Sequence, residues 1–336
     1  MIKRVIFLFF VTSHLFAQVG GEQVYTFLNT STSAKQVALG GSTLTLDGDV
    51  NQALWNPSMI TSGIDNQLML NYVNFLGDIN YFSGDYAYKV NEKLGVFYAN
   101  LTYLNYGKFI ASDEEGNETG AFKAYDMAFS VGYGYRFPLS DIHVGANLKI
   151  IQSSIEEFNS MGIATDLGVS YRPFDKSYTL ALVVRNLGVQ LSSYDDVRER
   201  MPLRIALGWS YQLEHVPLKF HTTFDNLQRW QLAYSNPSEQ TVDLNGNVTD
   251  NVPGFFNNAF RHFIIGAELF PDSGFSIRAG YNFQRAQELK LKETRTFAGL
   301  SVGFGVKVKR FKVNYAFAKY HPATNTHTFS LAINLN

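Results

Sequence analysis

The 336-residue chain contains no cysteine. That excludes disulfides, cysteine-zinc sites, iron–sulfur clusters, thiol nucleophiles and a lipid anchor on an N-terminal cysteine, since each needs a thiolate. Charge is scarce as well: 17% of residues are Asp, Glu, Lys or Arg, against roughly 25% in an average soluble domain. Neither sign dominates, with 28 Lys+Arg, 29 Asp+Glu and a formal net charge of −1, so the electrostatic footprint of a nucleic-acid-binding surface is missing. After residue 18 no apolar run approaches the ~20 residues that a membrane-spanning helix requires. What is plentiful is aromatic: 28 Phe, 19 Tyr and 3 Trp within 46% hydrophobic residues, which excludes a disordered chain. Such a composition turns much of the surface toward something other than water. Without a helical span, the one way to cross a membrane is a closed β-barrel.

At the N-terminus, Lys3 and Arg4 precede the apolar run Val5 to Val11, followed by Leu15, Phe16 and Ala17. This is the layout of a secretory signal peptide over residues 1–17, cut after Ala17, and it implies export. Leu15 stands where a small residue is usual.

Hydrophobic periodicity sets the class. From Tyr125 to Phe137 the odd positions are Tyr, Met, Phe, Val, Tyr, Tyr and Phe, and the even positions are Asp126, Ala128, Ser130, Gly132, Gly134 and Arg136. The same two-residue period runs through Met161 to Arg172 and through Leu203, Ile205, Leu207, Trp209 and Tyr211. A soluble sandwich would alternate too. Its inner face, however, would carry large apolar side chains, whereas Gly, Ala, Ser, Asn and single charges suit the polar lumen of a transmembrane barrel. Fourteen such segments follow one another between Gln67 and Asn336, including Gln67–Phe75, Tyr81–Lys89, Ile142–Ile151, Met161–Arg172, Phe311–Lys319 and His327–Asn336. Tight connections such as Asn91-Glu92, Pro138 to Asp141 and Lys309-Arg310 alternate with longer loops. The reading is all-β: a 14-stranded antiparallel transmembrane barrel over residues 67–336, with aromatic girdles near the strand ends and both termini of the mature chain on the periplasmic, short-turn side.

Residues 18–66 lack the alternation. About fifty residues are too few for a separate large domain, so they are expected to fold into the lumen as an N-terminal plug with short helical turns. Inward charges at Asp126, Lys149, Asp166, Arg172, Arg185 and Arg204 are candidate lumenal residues, serving either a substrate path or pairing across the lumen and to the plug. The connection from Leu227 to Arg261 is unusually long and carries Trp230, Tyr234, Phe255, Phe256 and Phe260; loops of that length are commonly functional, and aromatic side chains dominate interface hot spots. It is a candidate partner-docking loop, or else a cap folded over the barrel mouth. The seven histidines form no HExxH or similar ligand pattern, and no serine with a distinctive context accompanies His143 or His221. No catalytic residue, metal site or cofactor is expected.

The stretches VGGEQVYTFLNTSTSAKQVALGG (from Val19), NQALWNPSMI (Asn51), NQLMLNYVNFLGDINY (Asn66), LNYGKF (Leu104), MGIATDLGVSY (Met161), VVRNLGVQL (Val183) and LQRWQLAY (Leu227) resemble the PorQ family of type IX secretion system outer-membrane barrels, across essentially the whole mature chain. Asn56-Pro57 is also similar to the Asn-Pro element in the plug of FadL-type fatty-acid channels, the wider superfamily. The resemblance implies a FadL-like barrel, with Gly40, Gly41, Asn56 and Pro57 as plug-motif residues. It further implies a non-enzymatic role in the outer membrane of a Gram-negative bacterium, holding a PorZ-like surface protein in an attachment complex with PorU and PorV, among outer-membrane lipid and lipopolysaccharide. The alternative within the superfamily is a transporter of a hydrophobic small molecule.

Overall fold

A computed structural model describes residues 23–173, 177–233, 241–242, 248–249, 253–290 and 297–335; the signal-peptide reading lies outside them. Fourteen strands make one closed antiparallel barrel. They are β1 (Gln67–Leu76), β2 (Ile79–Asn91), β3 (Gly95–Ser112), β4 (Glu118–Arg136), β5 (Ile142–Ile155), β6 (Phe158–Tyr171), β7 (Tyr178–Ser192), β8 (Arg204–Gln212), β9 (Leu218–Phe224), β10 (Phe263–Leu269), β11 (Phe275–Asn282), β12 (Leu300–Val308), β13 (Phe311–His321) and β14 (Thr324–Asn334). Each pairs with its neighbours in the chain, and β14 closes on β1 from Gln67↔Asn334 to Asn74↔His327. The expected class and strand number both hold.

The pleat sorts side chains as the alternation requires. On β4, Asp126, Ala128 and Ser130 are buried, whereas Phe129, Val131, Tyr133 and Tyr135 are exposed. Around the barrel Leu70, Phe82, Leu101, Ile150, Leu182, Ile277, Phe304 and Phe329 are each close to half exposed on the outer wall. A continuous apolar outer wall of this kind is stable only against lipid. No helix of the described residues is long and apolar enough to span a membrane.

Tight turns gather at one end, between β2 and β3, β4 and β5, β8 and β9, β10 and β11, and β12 and β13. The opposite, long-loop end departs from the expected pattern. Gly77-Asp78, Glu156-Glu157 and Pro322-Ala323 are two-residue turns, because β2, β5, β6 and β14 run beyond the apolar alternation. Above the apolar band the hydrogen-bond ladder continues while the outward side chains become polar, so periodicity ends before the strand does. The strands β3 and β4 extend furthest, to 18 and 19 residues.

Residues 24–64 thread the lumen. Gln23 forms a parallel bridge with Arg200 in the β7–β8 connection, and Val24 N donates to Arg200 O at 3.0 Å. The segment then crosses to the short-turn end, where Asp65 accepts from Lys89 N at 2.7 Å and Asn66 O accepts from Leu335 N at 2.8 Å. Gln23 and Asn334 therefore sit at opposite mouths; residue 18, the expected start of the mature chain, lies outside the described residues. One pass of the plug through the lumen reverses the end from which β1 starts. On the way it forms two short helices, α1 (Ala34–Ala38) and α2 (Gln52–Trp55). Apolar plug side chains meet inward wall residues: Ala34, Val37 and Ala38 pack with Ala316 and Ala318, Leu44 packs with Ala181, Val183 and Ala206, and Val50, Ala53, Ile60 and Ile64 pack with Met69, Ala87, Val96 and Tyr98.

Candidate functional site

The plug is held by three kinds of contact, and the first is close backbone approach. A Cβ on Gly134 would overlap the backbone of Ile60, one on Gly145 the carbonyl of Pro57, one on Gly280 the Leu39-Gly40 peptide, and one on Gly303 would meet Ala38 Cβ at 2.7 Å. These inward glycines lower the barrel wall so that the plug main chain can lie against it. The plug-motif residues sit at the same contacts. Gly40 and Gly41 end α1 with φ of +101° and +100°, a conformation that L side chains rarely adopt, and Asn282 Nδ2 donates to Gly40 O at 3.3 Å. Asn56 donates through Nδ2 to Leu44 O at 2.8 Å and accepts from Ser58 N at 3.1 Å and Ser58 Oγ at 2.7 Å. With Pro57 starting the next helical turn, this knot staples two plug segments together.

The second kind is neutral hydrogen bonding. Ala34 N donates to Ser330 Oγ at 2.8 Å, Asn147 Nδ2 to Ala53 O at 2.7 Å and Tyr81 OH to Phe27 O at 3.0 Å. Within the plug, Gln36 Nε2 donates to Thr43 O at 2.8 Å and to Gln52 Oε1 at 2.7 Å, while its Oε1 accepts from Thr43 N.

The third kind is charge, and here the six candidate lumenal residues divide. Lys149 and Asp166 form a buried ion pair at 2.7 Å. Asn186, at φ +58°, sits on a register shift between β6 and β7, where its main-chain N donates to Asp166 at 2.8 Å and its Oδ1 accepts from Lys149 at 2.9 Å. Arg204 pairs through two nitrogens with Asp225. Arg172 reaches the plug instead, meeting Asp47 at 2.6 Å near the short-turn mouth. Asp126 has no cationic partner among the described residues; it accepts from Tyr106 OH at 2.7 Å and from Ser153 Oγ. Arg185 donates to Leu28 O at 3.1 Å and stacks on Trp55. Lys149, Asp166 and Arg204 are thus in ion pairs, Arg172 and Arg185 contact the plug, and Asp126 bonds to neighbouring wall strands.

Sequence reasoning missed Asp85 and Glu268, which the alternation could have found because each shares the phase of small inward neighbours. Asp85 accepts from Tyr98 OH at 2.6 Å, from Asn100 Nδ2 at 2.9 Å and from Asn51 Nδ2 of the plug at 3.0 Å. Glu268 takes Arg278 at 2.8 Å and plug Lys35 at 3.7 Å. Of the two histidines weighed as bases, His221 meets Thr45 Oγ1 at 3.3 Å with both residues buried, and His143 lines the short-turn end. Among the described residues no three His, Asp or Glu side chains cluster as metal ligands.

Cavities lie at the two mouths. One of about 940 Å³ opens at the short-turn end among Lys89, Arg136, His143, Arg172, Lys219 and Asp47. Another of about 260 Å³ opens at the long-loop end beside Asn29, Gly41, Arg204 and Arg285. Between them, next to Lys149, Asn100 and Ser130, there is a void of about 10 Å³, the size of one water. An apolar depression of about 600 Å³ lies on the outer wall instead, walled by Leu70, Phe82, Leu101, Phe329 and Leu331 around Gly84.

The expected docking aromatics take a position of their own. In the β9–β10 connection a third helix, α3 (Phe255–Arg261), leaves Phe255, Phe256 and Phe260 65%, 76% and 56% exposed, with Trp230 at 45%. Trp230 packs edge-on to Phe224 and Phe260 against Phe263, both outward-facing wall residues. Tyr234 lies outside the described residues.

The fold, a closed 14-stranded antiparallel β-barrel with a plug in its lumen, is shared with a solved structure. The Ralstonia pickettii toluene transporter TbuX matches over 92% of this chain and 98% of its own, with a TM-score of 0.52 at 12% identity. The Acinetobacter baumannii outer membrane protein Omp33 (TM-score 0.35, 8% identity, 80% of this chain and 96% of that one) and the Salmonella typhi outer membrane phospholipase OMPLA (0.31, 11%, 86% and 99%) are more distant. No protein-family model matches the chain, and no curated protein matches it in sequence.

Proposed function

We propose that the chain is a non-catalytic, permanently plugged outer-membrane barrel of the PorQ type, exported by its N-terminal signal. Its long-loop, extracellular end holds a PorZ-like surface protein of the type IX attachment complex beside PorU and PorV. The observation that carries this reading is the plugged lumen: plug side chains bond to and pack against the wall, and the void beside Lys149 and Asn100 measures about 10 Å³. A barrel built this way offers surfaces rather than a passage. The sequence resemblance across the chain supplies the identity of the partners.

The test is affinity capture from detergent-solubilised outer membranes. The intact chain is compared with one in which residues 235–251 are replaced by a Gly-Ser linker and α3 is kept. Retention of one large surface protein by the intact chain alone, with both forms showing heat-modifiable migration, is the expected result. Co-purification of a hydrophobic small molecule without a protein partner would favour the second reading, transport as in the toluene transporter TbuX. The specific support for that second reading is the apolar depression over Gly84 on the outer wall, which plug movement would have to connect to the lumen.

A further inference from the structure

The β9–β11 sector is the shortest part of the wall. The strands β9, β10 and β11 have 7, 7 and 8 residues, where a tilted transmembrane strand takes about 9–11. Even with the bonds from Asp225 N to His262 O, Phe270 N to Pro217 O and Lys307 N to Gly274 O that carry the ladder one residue further, about nine residues at about 3.3 Å each and a tilt of about 40° give a height of roughly 23 Å, short of an apolar band of about 25 Å. Elsewhere the wall has no such shortfall, since β1 to β7 run to 10 residues or more.

Above these short strands, ring contacts extend the outer wall without a break. The wall residues Phe224 and Phe263 pack at 4.9 Å between centroids. From Phe224 the chain of rings continues to Trp230 at 6.3 Å, Phe255 at 5.7 Å and Phe256 at 5.6 Å. From Phe263 it continues to Phe260 at 6.4 Å, Phe283 at 5.8 Å and Tyr281 at 4.9 Å. Phe220, Ile265 and Tyr281 face outward on the same strands, so the added rings lie on the lipid side of the wall.

The ledge is rigidly aimed. Buried Asn258 donates to Trp230 O at 2.6 Å and accepts from Leu232 N and Ala233 N at 2.8 and 2.9 Å. Buried His262 ties Asp225 O at 2.6 Å to Trp230 O at 2.9 Å. With its polar side pinned inward, α3 cannot roll its phenylalanines out of contact with whatever lies beside the barrel. In water such a contiguous apolar patch is unfavourable, whereas at the boundary between acyl chains and headgroups it is where aromatic rings concentrate.

We propose that α3 and Trp230 form a lipid-seated ledge that supplies the membrane height β9–β11 lack, its occupant being the acyl chain–headgroup boundary of the outer leaflet. The aromatics of the long connection are then part of the membrane belt, and a protein partner is left the solvent-facing loops.

The absence of cysteine makes the test direct. Single variants Phe256→Cys, Val302→Cys on the outward face of β12 and Val197→Cys in the β7–β8 connection are spin-labelled in the full chain and reconstituted in phosphatidylcholine vesicles without other proteins. Collision with oxygen is compared with collision with a water-soluble nickel chelate. The expected result is that position 256 follows 302, favouring oxygen several-fold relative to position 197. Position 256 following 197 would overturn the proposal and make the aromatics a water-exposed surface for a protein. Should Phe256→Cys fail to fold, Trp230 emission in a chain carrying both Trp55→Phe and Trp209→Phe, which leaves Trp230 as the one tryptophan, reports the same thing: strong quenching by brominated lipid supports the ledge, and quenching by aqueous acrylamide alone overturns it.

Discussion

The guanidinium carbon of Arg185, on the barrel wall, lies 4.0 Å from the centroid of the Trp55 indole, in the plug. Nε and Nη1 of that guanidinium meet no hydrogen-bond acceptor among the described residues, so the ring face stands in for the missing partners. Arg204 approaches the same ring at 5.7 Å. A desolvated cation–π contact of this kind is worth about 2 kcal/mol or more, and it joins wall to plug at the middle of the chain's one lumenal crossing.

Replacing Trp55 by Ala therefore removes both the ring under Arg185 and one of the largest fully buried side chains. The expected cost is about 3–5 kcal/mol. It is read as a lower temperature for conversion of the compact band in heat-modifiability gels. Trp55→Phe, which keeps a ring face, should recover much of the loss; equal losses in both variants would show that packing alone is at stake.

How much of this was legible beforehand differs between wall and plug. On β4 the alternation of Phe129, Val131 and Tyr133 with Ser130, Gly132 and Gly134 defines the strand and both its faces, because a membrane barrel imposes one rule on every residue it spans. The strand ends were less legible: Gln152 to Ser154 are polar, yet they remain in β5, since pairing with β6 continues where lipid contact ends. The plug was legible only as a stretch without period. Its anchors, such as Lys35 on Glu268 or Asn51 on Asp85, join residues far apart in the chain and leave no local pattern. The same holds for Trp230 and Phe255, whose neighbours are set by strands flanking a connection of nearly forty residues.

The inward glycines carry a second prediction. Gly145 faces the Pro57 carbonyl so closely that any side chain must push the Asn56-Pro57 turn away. Gly145→Val is expected to cost about 1–3 kcal/mol by overpacking. It should also turn a silent barrel into one with measurable ion conductance in planar bilayers, because the displaced turn no longer seals the lumen. Gly120→Val, at a position with open space around it, is the matched control and should stay silent. Conductance in neither variant would mean that the plug yields without opening.

The Lys149–Asp166 pair gives a third. Both side chains are fully buried at 2.7 Å, so losing one partner strands a charge in the lumen, at a cost of about 3–5 kcal/mol for Lys149→Met or Asp166→Leu alone. The double variant should lie much closer to the parent, since a buried pair replaced by apolar side chains is often neutral. Denaturation midpoints of the four proteins supply the cycle; additive losses would show that Asn186 and the β6–β7 bulge, rather than the pair, hold that region.

At the tip of the longest hairpin, Asp113 accepts from Asn117 Nδ2 at 3.0 Å, from Asn117 N at 2.7 Å and from Glu115 N at 3.1 Å. The side-chain bond from Asn117, then its main-chain bond, hold the Asp113 carboxyl below the usual carboxylate range. A depressed folded pKa means that the unfolded loop binds the proton more readily. The ordering of the tip is thus complete above the ordinary Asp pKa of about 3.9 and is lost as pH falls through the lower folded value. A spin label at Glu118→Cys should be immobile from neutral pH down to about 4 and loosen below it, with the barrel itself intact. In an Asp113→Asn background the low-pH step should disappear. A step that persists without the Asp113 carboxyl would place the acid-sensitive group elsewhere, with Glu114 and Glu115 as the nearest carboxylates in the chain.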